Sequence, residues 1–176
     1  MGVIKRAYFS GGCFWCTEAI YRRLKGVLSV KPGFSGGNIK NPSYKEVCTG
    51  STGHAETVEV VYDSDKIEFK LLLEVFFNTH DPTTLNRQGN DIGTHYRSIV
   101  FYSNFKEKEL IEDFIDYLNN NQYNNRIVTE VLEFDIFYHA EDYHENYYEQ
   151  NKNQPYCNLV ITPKVEKFEK KYKSKL

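Results

Sequence analysis

A strand, a glycine turn and the start of a helix follow one another near the beginning of the chain. An apolar run from Val3 to Phe9 leads into two glycines, and apolar residues then recur at every fourth position from Cys16 onward. Cys13 therefore falls at the start of a helix, where unpaired backbone N–H groups and the helix dipole favour an anion. That anion would be a thiolate, the reactive form of cysteine. The pattern predicts a nucleophilic or redox-active Cys13.

Cys16 follows Cys13 in a Cys-x-x-Cys spacing, about one helical turn further on. The same spacing occurs in zinc sites, but such a site needs a second pair of ligands, and Cys48 and Cys157 each stand alone. The histidines form no His-Glu-x-x-His pattern either. The spacing therefore favours thiol redox chemistry over structural zinc, and we expect no metal and no cofactor.

The size and charge of the chain limit the classes of protein to which it can belong. With 176 residues it can form one domain with a substantial core, so we expect a single catalytic domain over residues 1–176. A net charge of −2 favours neither nucleic acid nor a membrane surface as partner. The N-terminus lacks the apolar run of a signal peptide. Four cysteines without a secretory signal indicate a reducing compartment, so we expect a cytoplasmic protein. Separately, we expect a monomer.

Apolar periodicity predicts the remaining elements along the chain. Strands are predicted at Val27 to Val30, Thr57 to Asp63 and Tyr96 to Tyr102, and within Ile127 to Tyr138. Helices are predicted at Tyr44 to Gly50, Phe69 to Phe77, Asn104 to Leu118 and Val165 to Tyr172, and within His139 to Glu149. Loops are predicted at Lys31 to Gly37 and Asn119 to Asn125. Interleaved helices and strands indicate an α/β or α+β protein in two layers.

Glu56 stands at the start of a predicted strand, beside a loop that contains glycine. The commoner interpretation of a glutamate there is a solvated carboxylate at a strand end. The functional interpretation is a general acid in a partly apolar pocket, with a raised pKa. A Cys-His hydrolase would instead need a histidine base near Cys13, and the sequence leaves five candidates open. These candidates are His54, His80, His95, His139 and His144.

The tetrad Gly12-Cys13-Phe14-Trp15 resembles the signature of the peptide methionine sulfoxide reductase A family. Five further segments match that family in order and spacing, so the resemblance spans nearly the whole chain. They are Tyr44 to Gly50, Gly53 to Glu56, His80 to Thr83, Gly93 to Ser98 and Ala140 to His144. The chain departs from the family pattern at His95, where glutamine is more usual, and it lacks the glycine-rich tail with a further cysteine that some members carry.

The resemblance implies a catalytic role for five residues. Cys13 matches the family nucleophile, whose thiolate attacks the sulfoxide sulfur. Glu56 matches the acid that protonates the sulfoxide oxygen, a carboxylic acid that stays neutral until it donates. Tyr44 and Tyr96 match hydroxyls that hydrogen-bond the same oxygen, and Asp91 matches a polar residue near them. Methionine is released, and Cys13 becomes a sulfenic acid.

The same resemblance implies the fold, the substrate and the reductant. It implies a two-layer sandwich around a mixed sheet, similar to ferredoxin-like arrangements. Phe14 and Trp15 match the apolar wall around the substrate methyl group, and the substrate is the S epimer of methionine sulfoxide, free or in proteins. A thioredoxin-type donor reduces the disulfide that forms. Two other classes share parts of this pattern, a thioredoxin-like disulfide oxidoreductase and a redox-regulated binding module.

Three cysteines are candidates for the thiol that condenses with the sulfenic acid. Cys16 needs no long loop movement, although the helical pattern turns it towards the core. Cys157 lies in a turn-rich segment and resembles the position of the resolving cysteine in other members. Cys48 is the weakest candidate, because we expect a buried structural role for it. We favour Cys16.

Overall fold

The computed structural model describes residues 2–176, and Met1, the first residue of the predicted domain, lies outside them. The strands are β1 (Ile4–Ser10), β2 (Val27–Ser35), β3 (Ala55–Asp63), β4 (Arg87–Gln88), β5 (Asp91–Ile92), β6 (Ile99–Tyr102), β7 (Glu130–Glu133) and β8 (Tyr138–His139). The α-helices are α1 (Phe14–Tyr21), α2 (Tyr44–Cys48), α3 (Phe69–Thr79), α4 (Phe105–Leu118), α5 (Tyr147–Gln150) and α6 (Thr162–Lys171). Short 3-10 turns span Thr94–Tyr96, Asp142–His144 and Lys173–Lys175, and π-helical turns span Asn119–Tyr123 and Cys157–Ile161.

Within the described residues, six strands form one mixed sheet in the order β7-β6-β1-β3-β2-β8. Every neighbouring pair is antiparallel except β6 and β7, which are parallel. The inner four strands, with α1 and α3 as their crossovers, have the ferredoxin-like order and confirm the predicted fold class. The two-residue strands β4 and β5 form a separate hairpin.

The core lies between the helices and one face of this sheet. Phe9 on β1 stacks on Tyr21 of α1 at 5.2 Å between ring centroids, and contacts Phe76 of α3 at the same separation. Val165 and Phe168 of α6 belong to the same buried cluster. The predicted apolar alternation of β3 is confirmed, because every second residue from Val58 to Tyr62 faces this core.

The opposite face of the sheet is covered by a short segment of chain. The predicted last strand is divided into β7 and β8, which pair at opposite edges of the sheet. Residues 134–137 therefore cross the sheet, and the Phe134 ring stacks on Tyr8 of β1 at 3.8 Å. The Ser35 hydroxyl donates to the Ile136 carbonyl at 2.5 Å, which fixes the far end of the crossing.

Several predicted boundaries were wrong because long-range pairing decided them. β2 continues through the segment predicted as a loop, where Lys31 to Ser35 pair with β3. Pro32 has no N–H to donate, but its carbonyl accepts from Ala140 at 3.0 Å. Tyr96 lies in a 3-10 turn, and the strand after it begins only at Ile99. Residues 119–123 were predicted as a loop and instead continue α4 as a π-helical turn.

The segment from His139 to Glu149 is less regular than the predicted short helix. It contains the end of β8, the 3-10 turn Asp142–His144 and the start of α5.

None of the helices found within residues 2–176 combines the length and the apolarity that crossing a membrane requires.

Candidate active site

Cys13 is the N-cap residue of α1, as the sequence predicts. The preceding Gly12 has a φ of 83°, and a Cβ there would lie 2.8 Å from the Gln88 side chain, so glycine suits both the backbone and the space. The N–H of Gly12 donates to the Tyr96 carbonyl at 3.2 Å. This bond joins the turn before Cys13 to the turn that carries Tyr96.

The expectation of a low pKa for Cys13 was wrong for the protein without substrate. Cys13 is only 7% exposed, and this burial raises the pKa of its thiol well above the usual value. A hydrogen bond to Cys16 and the nearby Glu56 carboxylate raise it further, whereas the backbone N–H of Trp15 lowers it. The hydrogen bond from Cys13 in turn lowers the pKa of Cys16. The helix start does favour the Cys13 thiolate, but desolvation outweighs it.

Glu56 is buried at 1% exposure near the start of β3, so the interpretation as a solvated carboxylate was wrong. Its Oε1 accepts a hydrogen bond from the backbone N–H of Phe14 at 3.1 Å. Its Oε2 is buried without a hydrogen-bond partner among the described residues. Burial raises the pKa of this carboxyl to about 8, although the Phe14 N–H lowers it. The group is therefore mostly protonated at neutral pH and has one oxygen free to donate.

Tyr44 and Tyr96 approach Glu56 from two different elements, the first residue of α2 and the 3-10 turn before β6. Burial raises the pKa of both hydroxyls, and the Glu56 carboxylate raises both further. Both therefore stay protonated and can act as hydrogen-bond donors. Cys13 also raises the pKa of Tyr96, which places this hydroxyl near the thiol as well.

Asp91 is held beside the cysteine pair by a residue that the sequence did not indicate. The hydroxyl of Tyr156 donates to Asp91 Oδ2 at 2.6 Å and lies 3.9 Å from Cys16 Sγ. The Asp91 carboxylate also contributes to the raised pKa of Glu56. The only sequence signal for Tyr156 was its position next to Cys157.

Phe14 and Trp15, which are predicted to surround the substrate methyl group, differ in their exposure. The Phe14 ring is fully buried and lies 6.0 Å from the Tyr44 ring, whereas Trp15 is half-buried. The Trp15 ring stacks on Tyr147 at 3.7 Å, and its Nε1 donates to Nδ1 of the buried His144 at 3.0 Å. Trp15 is therefore held by one stacked ring and one hydrogen bond.

No histidine within residues 2–176 hydrogen-bonds Cys13, so the geometry does not favour a Cys-His hydrolase. His80 contacts the Phe76 carbonyl and the Ser98 hydroxyl, and His54 is bound by the Gly37 N–H. The remaining three do not hydrogen-bond Cys13 either. His139 is exposed, His144 accepts from Trp15, and His95 is buried with an unpartnered Nδ1.

The other two cysteines differ from what the sequence indicated. Cys157, expected in a turn-rich segment, is fully buried in a π-helical turn. Its pKa is raised by burial and by Cys16, so it lies close to that thiol. Cys48, expected to be buried, is exposed at the end of α2, and its thiol contacts the Tyr44 hydroxyl. Cys16 lies one helical turn from Cys13 on α1 and is the thiol that affects the pKa of Cys13.

Residues 5–176 match the family model for peptide methionine sulfoxide reductase. The chain belongs to this family. It is 53% identical to the peptide methionine sulfoxide reductase MsrA of Saccharolobus solfataricus over 170 residues, which cover 97% of this chain and 96% of the relative.

Solved structures of the family have the same fold. Mxr1 from Saccharomyces cerevisiae in reduced form superimposes with a TM-score of 0.82 and 33% identity, over 88% of this chain and 89% of the other. The methionine sulfoxide reductase A of Corynebacterium diphtheriae gives a TM-score of 0.76 and 36% identity, over 84% and 75%. The resemblance seen in the sequence is confirmed, and the chain is a peptide methionine sulfoxide reductase that works through thiols.

Proposed function

We propose that the chain reduces the S epimer of methionine sulfoxide, free or in proteins, with Cys13 as nucleophile and Glu56 as acid. The observation that carries this assignment is the free Oε2 of Glu56. A neutral buried carboxyl with one unpartnered oxygen is suited to give a proton to a substrate oxygen. A thioredoxin-like disulfide oxidoreductase does not need an acid that protonates a sulfoxide oxygen.

The tyrosine hydroxyls complete the polar half of the proposed pocket. In our assignment, Tyr44 and Tyr96 donate hydrogen bonds to the sulfoxide oxygen while Glu56 protonates it. Burial and the neighbouring carboxyl keep both hydroxyls protonated, which supports the assignment as donors. Phe14 and Trp15 supply apolar surface for the methyl group, next to Cys13 in the chain.

The first chemical step is the attack of Cys13 Sγ on the substrate sulfur. The sulfoxide oxygen moves to Cys13, which becomes a sulfenic acid, and the substrate leaves as the thioether methionine. Cys13 must lose its thiol proton as it attacks. Cys16, one helical turn further along α1, is placed to accept it.

We assign Cys16 as the resolving thiol. Its sulfur attacks the sulfenic sulfur of Cys13, a disulfide forms and the oxygen leaves as water. The spacing of Cys13 and Cys16, one helical turn apart at the start of α1, supports this assignment, since no segment has to move far. Cys157 is buried near Cys16 and is the runner-up, and Asp91 with Tyr156 lines the same side of the pair.

A dithiol donor is needed to reduce the resulting disulfide, and a thioredoxin-type protein has that chemistry. The related Mxr1 from Saccharomyces cerevisiae has been solved in complex with Trx2. Because these thiols must return to the reduced state, we propose that the protein acts in the cytoplasm, where thiols are kept reduced. Because one chain supplies every group of the proposed site, we propose that a monomer is active.

The proposal is tested by assaying each pure epimer of methionine sulfoxide with dithiothreitol as reductant. We expect turnover of the S epimer and none of the R epimer. Reduction of insulin disulfides in the absence of any sulfoxide reduction would instead identify a disulfide oxidoreductase. Absence of both activities in a folded, reduced protein would indicate a binding module.

A further inference from the structure

Three side chains with metal-binding atoms converge at Glu56. Cys48 at the end of α2, Glu56 in β3 and His95 in the 3-10 turn each offer one such atom, and these three atoms lie within 4.8 Å of one another. Neither Cys48 nor His95 has a role in the reaction proposed above. The three residues come from separate elements, so their convergence is a product of the fold.

Two of these three residues each carry a buried polar atom without a partner. Glu56 is 1% exposed and His95 is 6% exposed, and neither Glu56 Oε2 nor His95 Nδ1 has a hydrogen-bond partner among the described residues. Leaving a buried donor or acceptor unsatisfied costs free energy, so each of these atoms needs a partner such as a water molecule, an ion or a substrate atom. The sulfoxide oxygen would satisfy Glu56, but His95 has no place in that reaction.

We propose that Cys48, Glu56 and His95 form a binding site for one Zn²⁺ ion. Sulfur, imidazole nitrogen and carboxylate oxygen are the donors that Zn²⁺ takes in proteins, at about 2.0–2.3 Å. Three protein ligands leave a fourth tetrahedral position for water. Cys48 is exposed, so its side chain can rotate inward to shorten the distances, and the ion can enter from solvent.

Binding replaces two protons and changes no oxidation state. Zn²⁺ displaces the thiol proton of Cys48 and the carboxyl proton of Glu56, and both protons leave to solvent. The thiolate and the carboxylate together balance the charge of the ion, so the buried pocket gains no net charge. His95 binds as the neutral imidazole, and burial favours that form by lowering its pKa.

The ion would inhibit sulfoxide reduction, an inference that rests on the proposed role of Glu56. Zn²⁺ on Oε2 occupies the atom that gives its proton to the sulfoxide oxygen. It also lies where that oxygen would bind, next to Tyr44, whose hydroxyl contacts Cys48. The enzyme would therefore lose activity when free zinc rises and regain it when a chelator removes the ion.

Cobalt titration of the reduced, full-length protein tests the site without any assay of activity. Co²⁺ takes the place of Zn²⁺ and reports thiolate coordination by a charge-transfer band. We expect one Co²⁺ per chain, displaced by Zn²⁺, with the affinity at least about tenfold weaker in Cys48→Ser and in His95→Gln. His139→Gln, an exposed histidine of β8, is the matched control and should bind like the wild type.

The competing explanation is zinc binding by the Cys13–Cys16 pair. Under our proposal, Cys16→Ser keeps the cobalt band, whereas loss of the band in Cys16→Ser would overturn the site. Unchanged affinity in both Cys48→Ser and His95→Gln would also overturn it. Circular dichroism of each variant confirms that it is folded before the titration.

Inhibition is measured separately on the S epimer, with and without zinc. We expect zinc to inhibit the wild type, EDTA to restore it, and His95→Gln to be at least about tenfold less sensitive. Binding with the expected ligand dependence, but without inhibition, would overturn the inhibitory role and leave the site standing. A zinc-free wild type that reduces no sulfoxide would overturn the proposed function, while the cobalt result would still decide the site.

Discussion

The backbone N–H of Phe14 donates to Glu56 Oε1 at 3.1 Å and leaves Glu56 Oε2 as a buried oxygen without a partner. This bond ties the acid to the first residue of the helix that carries Cys13 at its N-cap. One oxygen is thus used for positioning and the other is free for chemistry. The orientation of the acid follows from the helix start.

Replacing Glu56 with glutamine keeps the shape and the hydrogen bond to Phe14 but removes the transferable proton. General acid catalysis contributes about 10²–10⁴-fold, so we expect a loss of that size in the single-turnover rate of sulfenic acid formation. Glu59→Gln is the matched control, because Glu59 lies on the same strand and binds Tyr8 on the other face of the sheet. An unchanged rate in Glu56→Gln would mean that Glu56 only supports the structure.

The ionisation of Glu56 can be followed directly. Its pKa is raised to about 8, so the carboxyl is neutral below that pH and ionises above it. We expect the infrared band of a neutral carboxylic acid, present in the wild type and absent in Glu56→Gln, to disappear with a midpoint near pH 8. EDTA is included so that no divalent ion is bound. A midpoint near the ordinary glutamate pKa would show that water reaches Glu56 and that its burial does not raise its pKa.

The disulfide formed after one turnover identifies the resolving thiol. We expect one equivalent of methionine sulfoxide to give mainly a Cys13–Cys16 bridge, because these thiols lie one helical turn apart at the start of α1. Peptide mapping by mass spectrometry should find the same bridge in Cys157→Ser. A Cys13–Cys157 bridge as the main product, still formed in Cys16→Ser, would contradict the assignment and require the buried segment around Cys157 to move.

Trp15→Phe tests how the apolar wall is held. The variant loses the hydrogen bond from Trp15 Nε1 to His144, and both nitrogens of this buried ring are then unsatisfied. We expect a loss of about 1–3 kcal/mol in the free energy of unfolding, and a raised KM. Tyr147→Phe is the control, since it keeps the stacked ring and loses only an exposed hydrogen bond. Equal effects in both variants would argue against the buried bond as the cause.

Local patterns in the sequence were sufficient for the parts of the site that depend on neighbouring residues. The glycine turn and helical period placed Cys13 at a helix start, and alternation placed Glu56 at a strand start. The raised pKa of Cys13 could not be predicted from such local patterns. It depends on burial and on Glu56, which are set by packing between distant segments.

Long-range contacts account for what the sequence did not indicate. Tyr156 reaches Asp91 across 65 positions, and Trp15 reaches His144 across 129, so no local period connects them. The division of the last predicted strand has the same origin. Phe134 stacks on Tyr8 and turns the chain across the sheet, a contact that no short window of sequence contains.

The central claim is that Cys13 is the sulfur that accepts the sulfoxide oxygen. Turnover of methionine S-sulfoxide by Cys13→Ser, with dithiothreitol as reductant, is the most direct measurement. We predict a folded variant with no detectable product, while Cys157→Ser under the same conditions remains active. Appreciable turnover by folded Cys13→Ser would contradict the account.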